Sequence, residues 1–185
     1  MIIEEVNVSK NEQHNLNAIK EIEDDNGASY LYKVNVVNAQ AELRNILILR
    51  FMNDGIKILL IIDGDQTSNK LIDDLDFINN RNIHVVRILS KGTTVGNKLY
   101  TFNDNVWLTI LRSATNSKDA TDTNITFLLA KLSSVLLSLK IKVIMISEDG
   151  FMIELWQLLQ NEGVNTILVR DYNTSIPDLK TLIYN

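Results

Sequence analysis

Five short runs rich in β-branched and apolar residues constrain this chain more than any other feature: LYKVNVV (31–37), KILLII (57–62), IHVVRIL (83–89), IKVIMIS (141–147) and VNTILVR (164–170). Runs of this length suit strands, and a continuous apolar run such as 57–62 suits a parallel strand covered on both faces. Stretches with helical spacing lie between them. NAQAELRNILILRFMND (38–54) stops at Gly55, a helix C-cap signal. KLIDDLDFINN (70–80) spaces Leu71, Ile72, Leu75 and Ile78 as a helix does. SKDATDTNITFLLAKLSSVLLSL (117–139) carries a stripe at Asp122, Ile125, Leu129, Leu132 and Leu136, and FMIELWQLLQNEG (151–163) ends on a glycine. Strands alternating with helices predict an α/β fold, three layers α/β/α, with a mainly parallel five-stranded sheet.

The remaining segments are less regular. Residues 100–116 suggest a short helix around 104–112, and 90–98 a loop. Pro177 suits the start of a last short helix, 177–183. Residues 1–29 are treated as an N-terminal extension and 30–185 as the α/β domain. In the extension, IIEEVNV suits a short strand, Leu16–Ile22 one or two helical turns, and Asn26-Gly27 a turn. No linker or internal repeat divides the chain.

Composition removes several function classes. There are no cysteines, hence no disulfides, no thiol nucleophile and no zinc-thiolate site. Only two histidines occur, His14 and His84, too few for a histidine cage. The net charge of -5 argues against wrapping nucleic acid by electrostatics alone. No signal peptide is evident, and Ile58–Ile62 is far too short an apolar run for a bilayer, so no membrane contact and a cytoplasmic location are expected. The Walker pattern and Gly-x-Gly-x-x-Gly are both absent, which argues against nucleoside triphosphate hydrolysis and dinucleotide binding.

In an open parallel sheet, ligands bind beyond the carboxyl ends of the strands. Acids recur there. Asp63, Gly64 and Asp65 follow 57–62; Glu148, Asp149 and Gly150 follow 141–147; Asp119 and Asp122 open the long helix. Each has a plain structural explanation as a turn residue, a cap or a first-turn carboxylate. Asp122, however, shares a face with Ile125, Leu129 and Leu132. A carboxylate on an apolar stripe is costly unless paired or bound to a cation. Opposite Asp149 it would make a repulsive pair that a divalent cation relieves, and Mg²⁺ or Mn²⁺ favours such oxygen donors.

With V34-N-V-V-N-A-Q40, L60-I-I-D-G-D-Q66, K118-D-A-T-D122 and M145-I-S-E-D149-G-F151, the chain resembles the PIN-like nucleases, including their NYN branch, over roughly 31–170. The resemblance implies strand order 3-2-1-4-5, a divalent-metal site using Mg²⁺ or Mn²⁺, and RNA as substrate. Asp122 and Asp149 match family acids and would hold the cation, with Asp119 or Asp63 in support. Asn35 stands where the first strand of the family carries an aspartate, and would orient water or substrate. Losing that charge weakens attraction for a hard cation. A second alignment makes 57–62 the first strand and Asp63 its lead acid, leaving 31–55 as an added strand and helix. Asn38, Lys91 and Lys118 are candidate substrate contacts; Lys98 and Arg112 lie near the same loop and helix, and scattered solvated lysines are the plainer account of such cations.

Two function classes therefore stand side by side. One is a metal-dependent endoribonuclease. The other is a pseudo-nuclease kept as an RNA-binding or protein-assembly module, a possible homo-oligomer. A receiver-like or flavodoxin-like signalling domain ranks behind both, because the acidic pair after the first strand and a late lysine are not evident. His84 is expected to be a satisfied structural histidine, and Trp107 and Trp156 core or interface residues.

Overall fold

The computed structural model describes residues 16–23, 29–37, 39–65, 82–91, 107–115, 117, 119–170 and 179–184. The expected strand IIEEVNV, the Asn26-Gly27 turn, the helix 70–80, most of the loop 90–98, and Asn38, Lys98 and Lys118 lie outside the described residues.

The elements follow as β1 (Leu16–Glu23), β2 (Ser29–Val37), α1 (Gln40–Asn53), β3 (Ile58–Asp63), β4 (Ile83–Leu89), β5 (Trp107–Arg112), α2 (Ala120–Ser138), β6 (Lys142–Ile146), α3 (Phe151–Asn161) and β7 (Thr166–Val169). A helical turn at 179–184 follows. The seven strands form one sheet in the order β1-β2-β5-β4-β3-β6-β7. Within it, β3 to β7 make an all-parallel block whose order, counted along the chain, is 3-2-1-4-5. β2 adds to this block parallel to β5, and β1 closes that edge antiparallel to β2.

Helices cover both faces, giving three layers. On one face Leu43, Leu47 and Phe51 of α1, Ile125, Leu129, Leu132 and Leu136 of α2, and Met152, Leu155 and Leu159 of α3 meet Leu59, Ile61, Val86, Ile88, Val143 and Met145 of the sheet. On the other face Leu179 and Ile183 pack on Leu60, Ile62, Val85, Leu89, Ile144 and Ile146. Burial on both faces explains why β3 reads as an unbroken apolar run, with every residue from Ile58 to Asp63 buried. α1 stops where expected: Gly55 takes φ 69°, a left-handed conformation that costs glycine little. Among the described residues no helix is long and apolar enough to cross a membrane.

Three expectations are corrected. Residues 107–112 are a strand, not a helix. Leu108 and Ile110 face one core and Leu111 the other, so the segment is apolar on both sides and sits between β2 and β4. Leu16–Ile22 is part of β1, not helical turns, because every residue from Leu16 to Glu23 finds a backbone partner on β2. Finally, 31–37 does not lead the parallel block. It lies at the edge beside β5, and 57–62 leads instead, as the second alignment has it.

Candidate functional site

Strand alternation brings polar side chains to one rim. Leu59 and Ile61 face the layer of α1, α2 and α3, so Asp63, two residues on, faces the same layer at the end of β3. Val143 and Met145 likewise place Ser147 on that side, just past β6. The first turns of α2 and α3 start at this rim. It is the carboxyl edge of the sheet, at the point between β3 and β6 where the strand order reverses.

Asp63 is fully buried and held from two directions. The Ser147 hydroxyl donates to its Oδ2 (2.8 Å), and the Asp65 N–H donates to its Oδ1 (3.2 Å). Ser147 also accepts from the N–H of Asp149 (3.1 Å), so one buried hydroxyl ties the ends of neighbouring strands together. Asp149 in turn accepts from the Phe151 N–H through Oδ1 (2.8 Å), in the turn before α3, so the expected N-cap role falls to Gly150 and not to Asp149.

Asp65 braces three elements. Its Oδ1 accepts from the Ser90 N–H after β4 (3.1 Å), and its Oδ2 accepts from the Thr121 hydroxyl in α2 (2.6 Å). Between the two acids Gly64 is pressed against β4. A Cβ there would overlap the Leu89 side chain and lie 2.6 Å from the Ile88 carbonyl oxygen and 3.0 Å from Arg87 Nε. Arg87 is buried beneath this turn. Burial pulls its pKa down to about 10 while the Asp65 carboxylate opposes that shift, so the guanidinium stays charged at neutral pH.

Asp122 is different. It is partly buried in the first turn of α2, and among the described residues nothing donates a hydrogen bond to its carboxylate. Its pKa is raised to about 6, first by burial and then by the charges of Asp149, Asp63, Asp119 and Asp65. Asp122 and Asp149, on which the sequence argument depended, therefore do share one rim. Asp119 occupies the N-cap position of α2, yet its side chain makes no capping hydrogen bond.

The first turn of α2 is anchored from its other side as well. Asn124 donates through Nδ2 to the Ser113 hydroxyl beyond β5 (2.8 Å) and accepts from Gln40 Nε2 of α1 through Oδ1 (2.6 Å). Lys91 is exposed on the same rim, its N–H donating to the Thr115 carbonyl (3.2 Å).

Asn35 is not brought to this group. Its strand lies three positions from β3, about 14 Å at ordinary strand spacing. In register it is level with Thr109, Val86 and Ile61, two residues short of Asp63. His84 is fully buried, with Nε2 2.8 Å from the Thr109 hydroxyl, but its buried Nδ1 has no hydrogen-bond partner among the described residues, so the expected satisfied histidine is only half satisfied; burial lowers its pKa to about 3 and keeps it neutral. Trp156 is partly buried, and its ring N–H donates to the Thr166 carbonyl (2.9 Å).

Ser147 and Thr121 carried no role in the sequence reading. The available signal was position: each is a hydroxyl residue one or two places before a rim acid, which puts it beneath the acid rather than beside it. Among the described residues no three acidic or histidine side chains, as placed, form a group that could hold a metal ion. All the rim acids offer oxygen atoms, and Asp122 lies in the field of four other carboxylates. Comparison with known proteins gives no match at any level: no family model, no curated protein and no solved structure.

Proposed function

We propose that this chain is a PIN-like, metal-dependent endoribonuclease-type domain acting on RNA. One observation carries the reading: a partly buried Asp122 carboxylate that accepts no hydrogen bond among the described residues and feels four other carboxylates. Folding gains nothing from that arrangement, whereas a divalent cation would turn each repulsion into shared attraction. Asp122 and Asp149, with Asp63 behind them, would hold Mg²⁺ or Mn²⁺. Mg²⁺ commonly keeps several waters and takes one or two protein carboxylates directly. When bound, such an ion lowers the pKa of its water and supplies a nucleophile for a phosphodiester. The lead acid in this reading is Asp63, at the end of the first strand of the 3-2-1-4-5 block, so Asn35 is not needed as a ligand. Asp119 stands at the rim in support, and Lys91 is the described cation placed to meet a phosphate.

The test is cleavage of single-stranded RNA by the purified chain with Mn²⁺ or Mg²⁺. Cleavage is expected, and Asp149→Asn should abolish it. Equal background from the two proteins would refute the enzyme.

A second reading keeps the fold as a pseudo-nuclease, an RNA-binding or assembly module. The hydrogen bonds that already engage Asp63, Asp65 and Asp149 favour it. It requires RNA affinity with divalent ions chelated, or self-association measured as mass in solution.

A further inference from the structure

We propose that the outer face shared by α1 and α2 is a dimer interface, covered by the same face of a second copy of this chain. The proposal is independent of the cation reading and stands whether or not the rim cuts RNA. α1 and α2 lie side by side in the layer over one face of the sheet. Both run from the carboxyl edge back to the amino edge, and Gln40 at the start of α1 reaches Asn124 in the first turn of α2. Their outward sides therefore form one continuous surface.

Helices that cover a sheet ordinarily turn charged residues toward water. These two do not. Leu49 and Met52 of α1 are 58% and 67% exposed, and Phe127 and Leu137 of α2 are 52% and 49% exposed. Exposed positions recur at helical spacing, 41, 45, 49 and 52 in α1 and 123, 127, 130, 134 and 137 in α2, so each helix presents one outward stripe. Lys131 is the only charged residue exposed on either helix, and its ammonium lies 5.4 Å from the centre of the Phe127 ring. Yet 22% of the whole chain is charged. The neighbouring α3 exposes Glu154, so the charge-free surface stops at α2.

Loss of charge together with exposed Phe and Met is the composition of an interface centre. Charge also selects the occupant. The chain carries a net charge of -5, so two copies repel over most of their surface. A face without carboxylates is where identical chains can meet, because set against itself it buries no unpaired acid. A basic partner would instead be drawn to the acidic surfaces. Pairing about a two-fold axis matches the face to itself and closes the assembly at two copies. The area is sufficient. At about 1.5 Å per residue the helices, of 14 and 19 residues, are about 21 and 28 Å long. Lying about 10 Å apart, they present roughly 500 Å². Two copies would bury roughly 1,000 Å², the lower limit of a specific interface, so a dimer of about micromolar affinity is expected.

The test is sedimentation equilibrium of the full chain across micromolar concentrations. The mass should rise from 21.0 kDa to twice that value and stop there. Phe127→Glu and Met52→Glu each place like charges across the two-fold axis and should weaken association at least about 100-fold. Both side chains are more than half exposed, so the fold tolerates the change, and circular dichroism confirms it. Tyr184→Glu, equally exposed but on the turn that covers the other side of the sheet, should leave the dimer intact. A parent chain that stays at 21.0 kDa overturns the proposal. If Phe127→Glu then also lowers the melting temperature, the face is covered by a segment of the same chain; if it does not, the face serves a different protein. A dimer indifferent to both glutamate variants, or weakened as much by Tyr184→Glu, overturns the choice of face. A mass that keeps climbing with concentration overturns the two-fold pairing.

Discussion

Gly64 and Gly150 each follow a rim aspartate, and the sequence offers no way to tell them apart. The structure separates them sharply. At Gly64 a Cβ would lie 2.6 Å from the Ile88 carbonyl oxygen, and would also strike the Leu89 side chain. The leucine can rotate away, but the carbonyl belongs to the backbone of β4. It is also the acceptor for the Gly64 N–H at 2.8 Å, so relieving the clash means losing that bond. Overpacking costs about 1–3 kcal/mol and a lost hydrogen bond about 1, placing Gly64→Ala at about 2–4 kcal/mol destabilised. At Gly150 a Cβ would meet nothing within 4 Å, and the backbone already has helical angles, φ -62° and ψ -32°. Alanine there restricts the unfolded chain and should stabilise by about 0.4–1 kcal/mol. In a chain of this size each kcal/mol moves the melting temperature by about 2–4 °C, so the two variants should melt on the order of 10 °C apart. Thermal unfolding followed by circular dichroism measures this directly. If Gly64→Ala melts at or above Gly150→Ala, the close approach of β3 to β4 at the rim is wrong, and the placement of Asp63 and Asp65 goes with it.

The pH dependence of stability should show two opposed groups. Asp122 has its pKa raised from 3.8 to about 6, so its contribution is complete below 3.8 and is lost as pH rises through 6. His84 has its pKa lowered from 6.5 to about 3, so its contribution is complete above 6.5 and is lost as pH falls toward 3, an effect on the order of several kcal/mol. Asp122→Asn removes the first, and its urea midpoint should rise more steeply between pH 4 and 6.5 than that of the parent; equal slopes would count against the acid cluster. Thr109→Val deletes the hydroxyl beside His84 Nε2 and should cost about 1–3 kcal/mol in urea unfolding. An unchanged midpoint would mean that the ring finds another partner.

Much of the fold was legible because its signals are local. The apolar runs 57–62, 83–89 and 141–147 could only be covered strands, and the stripe of 117–139 could only be a helix facing them. Residues 107–112 were misread because a strand buried on both faces has no period to detect, and WLTILR looks as apolar to a helix as to a sheet. Leu16–Ile22 was misread because an edge strand is defined by its partner, β2, which no local pattern announces. The rim acids were found because strand ends are where parallel sheets bind ligands. Their support was not. That Asp65 reaches Ser90 and Thr121, or that Ser147 reaches Asp63 across 84 positions of chain, depends on which strands are neighbours. Placing 31–37 first in the sheet order put Asn35 at the rim in error, since one misplaced strand displaces every side chain on it.

The acid rim also bears on why the chain folds at all. Ile125, Leu128, Leu129, Leu132 and Leu136 of α2 are each at most 1% exposed. Burying them is worth on the order of 10 kcal/mol together, an upper figure because unfolded chains already hide some apolar surface. The penalty at Asp122 is far smaller. Asp122 is partly buried, and after allowance for solvent screening the displacement of its pKa corresponds to about 1–2 kcal/mol. The helix can therefore hold a carboxylate in an unfavourable place without endangering the fold. Asparagine in its place would keep the shape and remove the repulsion.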